Sequence, residues 1–210
     1  MKSGREVLQS LKSSAGGQEP GPGLAVGSPP QLILRPVSTR RERLNRSDIH
    51  VLTEWRNRFV TSFLTEFQAT EERTADWLVT IVGPSQNKIL FMVDDIAGNT
   101  FGYMGLDCIN WRDRTGEADA IVRGGKAPRG AMAAALIALI QWARGPLELD
   151  QIYVRVRSDN AALRFYERIG FEEFRRVGLI RCEKQNEIHW KEDETAEIGS
   201  PCLVHMRYEL

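Results

Sequence analysis

One stretch limits the folds open to this chain more than any other. Residues 121–144 read IVRGGKAPRGAMAAALIALIQWAR: an apolar strand enters a loop of Gly, Lys and Arg, and the loop opens directly into a long apolar helix that stops at Gly145-Pro146. An alternating strand follows, QIYVRVR at 151–157. After it come Asn160, a short helix carrying Phe165 and Tyr166, and Gly170-Phe171. A helix crossing between two strands implies that they lie parallel. A loop at a helix start presents unpaired backbone N–H groups and the positive end of the helix dipole, a physical site for phosphate or pyrophosphate.

The rest of the chain supplies the partners. LILRPV (32–37) reads as a strand, and Ser47-Asp48 as the N-cap of a helix over IHVLTEWRNRFV with Ile49, Leu52 and Trp55 on one face. TSFLTEFQA (61–69) reads as a loop. Thr70 caps a second helix, EERTADWLVTIV, with Glu71 and Glu72 in the first turn where the dipole favours acids, and Gly83-Pro84 stops it. KILFMVDD and TFGYMGLDCIN read as a hairpin turning at 96–99, followed by the strand GEADAIVRG. FEEFRRVGLIRCEK and LVHMRYEL close the chain as strands. The order β-α-α-β-β-β-α-β-α-β-β predicts an α/β (α+β) fold: a mixed, mostly antiparallel central sheet of about six or seven strands flanked by helices. Residues 1–30, with SSAGGQEPGPGLAVGSPP at 13–30, are expected to be a disordered tail ahead of a single domain over 31–210.

Composition narrows the function. The 28 basic and 28 acidic residues cancel, which argues against general binding to nucleic acid or a membrane surface. No run reaches the ~18–20 apolar residues of a membrane span, and the N-terminus has no apolar leader. Cys108, Cys182 and Cys202 have no metal spacing and no relation to His50, His189 or His205, so they read as reduced thiols of a cytoplasmic protein, with no metal expected. The Gly-rich loop is not a Walker loop, because no G-K-[ST] follows it, and the dinucleotide fingerprint G-x-G-x-x-G is absent.

Residues 121–171 resemble the acyl-CoA cradle of the GNAT superfamily of N-acyltransferases. The family loop is usually written Q/R-x-x-G-x-G/A. Here it takes the register Ala127-Pro128-Arg129-Gly130-Ala131-Met132, with Ala127 in place of Gln/Arg and Met132 in place of the second small residue. A branch with G-x-M-x-x-A-L matches through Gly130, Met132, Ala135 and Leu136. Leu34-Arg35-Pro36, Trp55-Arg56-Asn57 and Trp77-Leu78 resemble the branch holding ribosomal-protein alanine N-acetyltransferases and amino-sugar N-acetyltransferases.

The resemblance implies acetyl-CoA as co-substrate and direct attack of an amine on its thioester. It implies cofactor contacts from Ile121, Val122 and Arg123 on the strand, from Lys126, Arg129, Gly130, Ala131, Met132 and Ala133 at the loop and helix start, and from Asn160 and Phe165. Tyr166 is implied as the proton donor to the departing thiolate. Strand alternation places Glu117, Asp119, Ile121 and Arg123 on one face. Glu117 or Asp119 would take the ammonium proton or hold a cationic substrate, with Asp107 a third candidate. Arg56, Asn57, Phe63 and Asp107 are expected to line the acceptor site. For several of these residues an ordinary role competes: a helix cap for Asn160, core packing for Tyr166, a salt-bridged strand position for the carboxylates. The aromatic segment Phe59–Gln68 (FVTSFLTEFQ) tilts the acceptor toward a small-molecule amine. A protein N-terminus or lysine, or non-catalytic acyl-CoA binding, are the alternatives; the protein is expected to be a monomer or homodimer.

Overall fold

The computed structural model describes residues 2–16, 23–196 and 201–208. These divide into two compact units, one of Met1–Thr53 with Thr70–Ile152, the other of Glu54–Ala69 with Tyr153–Leu210.

The first unit begins earlier than the sequence suggested. Residues Gly4–Ser14 form helix α1, and Leu24–Val26 form strand β1, which pairs antiparallel with β2 (Leu32–Pro36). The tail expected over 1–30 is therefore corrected at both places, while residues 17–22 lie outside those described. The helix has a local cause: Ser3 and Glu6 form a reciprocal capping box that satisfies two orphan donors. It also has a tertiary one, because Leu8 is fully buried.

Lys12 on α1 is buried as well, and its Nζ donates to the carbonyls of Val82 and Ser85, each at 2.6 Å. Burial pulls this ammonium down to about 8. Between that value and the ~10.4 of a free lysine, the folded chain has released a proton that the unfolded chain keeps, so stability rises with pH across the window. Denaturant unfolding of wild type should therefore gain about 2 kcal/mol on Lys12→Met between pH 7 and 9.5. Parallel stability curves for the two proteins would show that Lys12 does not titrate within the fold.

Strands β2, β4 (Ile89–Asp95), β5 (Thr100–Asn110) and β6 (Thr115–Arg123) continue the sheet of this unit in the order β1-β2-β4-β5-β6. Its pairings are antiparallel. Helix α4 (Ala131–Arg144) buries Ala135, Leu136 and Leu139 completely, and each buried Leu contributes roughly 1.5–3 kcal/mol. A Cβ on Gly102 would come within 2.6 Å of Val122 O and 2.9 Å of Met132 Sδ, so glycine is what lets β5 lie this close to the β6 backbone beneath α4. Helix α3 (Glu71–Trp77) is capped by Thr70 and runs on into a wider turn over Leu78–Val82. Helix α2 (Arg46–Arg58) starts on Asn45, whose Oδ1 accepts from the backbones of Ser47 and Asp48. Asn45 thus takes the capping role expected of Ser47-Asp48, because Asp48 is drawn inward by Arg35.

The second unit orders its strands β7-β10-β8-β9-β3: β7 (Gln151–Arg157), β10 (Cys202–Tyr208), β8 (Phe171–Lys184), β9 (Glu187–Asp193) and the short β3 (Thr65–Glu66). Its pairings are likewise antiparallel. Strands β8 and β9 are joined by Gln185-Asn186, both with positive φ (48° and 66°), the conformation of a tight two-residue hairpin. Helix α5 (Ala162–Ile169) ends on Gly170. The architecture is α/β, with sheet strands flanked by helices. Among the described residues ten strands are present, more than the expected six or seven, because β1, β3 and β9 escaped the sequence reading.

Candidate active site

In the first unit the site is organised by β6. The ladder with β5 slips by one residue between Tyr103 and Gly105, and Ala120 sits in the left-handed region at φ 53°. Two residues of β6, Ala120 and Ile121, therefore oppose Met104 alone, and the inserted residue reverses the alternation. Cross-strand partners share a face. Glu117 faces Asp107, Asp119 faces Gly105 and Val122 faces Tyr103, so Glu117, Asp119 and Val122 lie on one side. Ile121 and Arg123 do not join them, because Arg123 faces Gly102 on the opposite side. The expected row of Glu117, Asp119, Ile121 and Arg123 is thus broken after Asp119, since simple period-two counting does not foresee a bulge.

The carboxylates do not stand alone. Lys88 donates from Nζ to Asp107 and reaches Asp119 Oδ2 at 3.4 Å. Trp77 lies under the same ammonium, its ring centroid 5.8 Å away. Nothing in the local sequence marks Lys88, a single cation ahead of ILFMVDD.

Beyond β6 the chain turns through Gly124 and Gly125, whose N–H groups both donate to Phe101 O. Lys126 and Arg129 are exposed along the loop, and Gly130 begins α4 at φ 82° with no side-chain cap. An added Cβ at Gly130 would meet nothing within 4 Å, so the space over the helix start is open. Ala131, Met132 and Ala133 form the first turn. Ala131 N–H donates to Pro128 O, and the Met132 side chain is part of the core. An uncapped helix start with open space and two neighbouring cations fits a diphosphate. Gly130→Val is expected to weaken coenzyme A binding by about tenfold or more in calorimetry, because a β-branched residue strains at this φ. Unchanged affinity would place the diphosphate elsewhere.

In the second unit Asn160 lies one residue ahead of the N-cap Ala161 of α5 and makes an Asx-type turn there: its Oδ1 accepts from Ala162 N–H at 2.9 Å and its Nδ2 donates to Ser62 O. Tyr166 is buried, its ring edge-on to Phe165 and Phe171 at 5.5 and 5.8 Å. Arg56 lies between two rings, its guanidinium carbon 3.8 Å from the Phe63 centroid and 4.6 Å from that of Phe67, and it donates to Thr65 O. Asn57 closes a reciprocal pair with the Ala69 backbone, which occupies both ends of its amide in holding the loop.

A further network was not read from the sequence. Buried Arg157 chelates Asp159 and reaches Glu66 Oε1 at 3.0 Å, while Trp190 Nε1 donates to the same Glu66 oxygen. Asp159 hydrogen-bonded to Arg157 is held below the ordinary carboxylate range. The V-R-V-R alternation of β7 puts Arg155 and Arg157 on one face, and nothing in the local sequence singles out Arg157.

This arrangement, a strand with paired carboxylates running into an open, uncapped helix start, suits a phosphate-bearing donor beside an acid–base pair, and the family match assigns it to the acyl-CoA-dependent transferases. Residues 31–172 match the family model described as an acetyltransferase (GNAT) domain. The chain belongs to the GNAT family and is an N-acetyltransferase with acetyl-CoA as its co-substrate. Among solved structures it is similar to a spermidine N-acetyltransferase from Vibrio cholerae in complex with CoA and spermine. That match has 21% identity and TM-score 0.62, over 84% of this chain and 94% of that one. A GCN5-related N-acetyltransferase from Brucella melitensis matches at 17% identity and TM-score 0.61, over 90% and 80% of the two chains. No curated protein matches the chain. Among the described residues no helix is long and apolar enough to cross a membrane.

Proposed function

We propose that this enzyme moves the acetyl group of acetyl-CoA onto a primary amine of a small molecule. The observation that carries this reading is the double role of β6, which bears Glu117 and Asp119 on one face and leads directly into the loop that ends at Gly130. When bound, acetyl-CoA supplies an acetyl thioester. The first-turn amides of α4, with Lys126 and Arg129, would hold its phosphates, and the backbone of Ile121–Arg123 would pair with the pantetheine arm. Glu117 or Asp119 takes the ammonium proton of the acceptor or holds its positive charge. Tyr166 delivers a proton to the leaving sulfur.

A small acceptor is supported by the loop that follows α2. Arg56 is clasped by Phe63 and Phe67, Asn57 is clipped to Ala69, and Glu66 is tied to Arg157 and Trp190. A stitched loop of this kind suits a bounded site better than an open peptide groove. The spermine complex of the Vibrio cholerae relative points the same way.

The test is a thiol-release assay with acetyl-CoA over diamines, polyamines, amino sugars, and peptides with free N-termini or lysines, run beside calorimetry with coenzyme A. Turnover of a small amine well above any peptide is expected. Turnover of peptides alone would make the enzyme a protein acetyltransferase, and coenzyme A binding without turnover would leave it a binding module.

A further inference from the structure

We infer that Lys88 is a positioning residue of this active site, holding the carboxylates of Asp107 and Asp119 together and aimed to the same side as Glu117. The inference rests on the acetyl-transfer reading above. Ile89 pairs with Leu106, so Lys88, one residue earlier, falls opposite Asp107, and Asp107 in turn pairs with Glu117. Three neighbouring strands thus form the row Lys88, Asp107, Glu117, with Asp119 diagonal to it. Asp107 and Asp119 each place Oδ2 against the one Nζ, so the two carboxylates are close neighbours as well. The lysine side chain is only 13% exposed, and the Trp77 ring from α3 lies beneath its ammonium.

The charged groups facing Lys88 are Asp107 from β5 and Asp119 from β6, with Glu117 next in the row. Burial alone would lower the ammonium, but Asp119 and Asp107 outweigh it and hold Lys88 above the ordinary lysine value. It therefore remains a fixed positive charge across the working range. Remove that charge and two carboxylates share one half-buried place, where like charges and lost pairing push one of them toward the protonated form. A protonated carboxyl neither accepts the acceptor's proton nor holds its ammonium.

The experiment is kcat/KM against pH for Lys88→Met, Lys88→Gln and Lys88→Arg, using the best amine of the panel. Each profile is divided by that of wild type, so that the amine's own titration cancels. For the two neutral variants the ratio should be flat above pH 7 and fall by about tenfold between pH 7 and 5. Lys88→Arg, which keeps the charge, should stay flat. A purely structural lysine would lower activity equally at every pH. Asp107→Asn leaves the whole ammonium to Asp119 and should move the acid limb the other way, a result readable even where the neutral variants fail to fold. An acid limb that stays in place in every variant that folds overturns the inference. It would leave the proposed function intact, which fails only if wild type transfers acetyl to no amine.

Discussion

Tyr166→Phe is expected to cut kcat by about 100-fold while leaving KM for acetyl-CoA and the melting temperature nearly unchanged. The ring is buried and packs edge-on against Phe165 and Phe171, and phenylalanine keeps all of that contact. Only the hydroxyl goes, so a loss of rate isolates its chemistry from its packing. A positioned proton donor contributes typically 10²–10⁴-fold, because the departing thiolate carries its charge in the transition state rather than in the bound substrate. Such a loss falls on kcat and kcat/KM together. A phenol serving only the core would behave differently: its removal would cost about 1 kcal/mol of stability, the worth of one hydrogen bond, with turnover intact. Steady-state kinetics beside a thermal melt separates the two, and a Phe variant with wild-type kcat removes Tyr166 from the chemistry.

The sequence was most legible where a single local signal decides the structure. Helix α4 begins at Ala131 and ends at Arg144 as read, because an apolar run is bracketed by Gly130 and by Gly145-Pro146. Thr70 caps α3 as read, since its hydroxyl has a backbone N–H three residues on. Legibility fell where the outcome depends on a distant partner. The Ser3-x-x-Glu6 box was present in the sequence, but what makes α1 part of the fold is Leu8 and Lys12 reaching buried positions. Strand β9 hid in EIHWKED because its turn, Gln185-Asn186, lacks glycine. Strand β3 has two residues and exists only through its ladder to β9. At the site, residue types were legible and their environment was not. The reading named Glu117, Asp119 and Asp107, but no local pattern announces that a bulge at Ala120 takes Ile121 and Arg123 off the face of Glu117 and Asp119, or that Lys88 lies between Asp107 and Asp119. Period-two counting carries the face of a strand only as far as its first irregularity.

The largest stability effect is expected from a residue that the motif Leu34-Arg35-Pro36 displays plainly and whose role only packing reveals. Arg35 donates through Nη1 and Nη2 to both oxygens of Asp48 at 2.9 Å, and through Nε to Asp94 at 2.6 Å. Thr100 donates to the other Asp94 oxygen at 2.6 Å. One guanidinium therefore joins β2 to β4 and to the first turn of α2. The two aspartates are 3% and 5% exposed, so neither can be rehydrated without moving its element. Arg35→Met leaves two buried carboxylates without their cation, a change that costs about 3–5 kcal/mol, or on the order of 10 °C in a chain of this size. Arg35→Lys should recover only part of this, because an ammonium cannot reproduce the fork that spans both acids. The gap between wild type and Arg35→Met is read by denaturant unfolding near neutral pH. A gap below about 1 kcal/mol, far short of the cost of stranding two buried carboxylates, would show that the network does not hold α2 to the sheet.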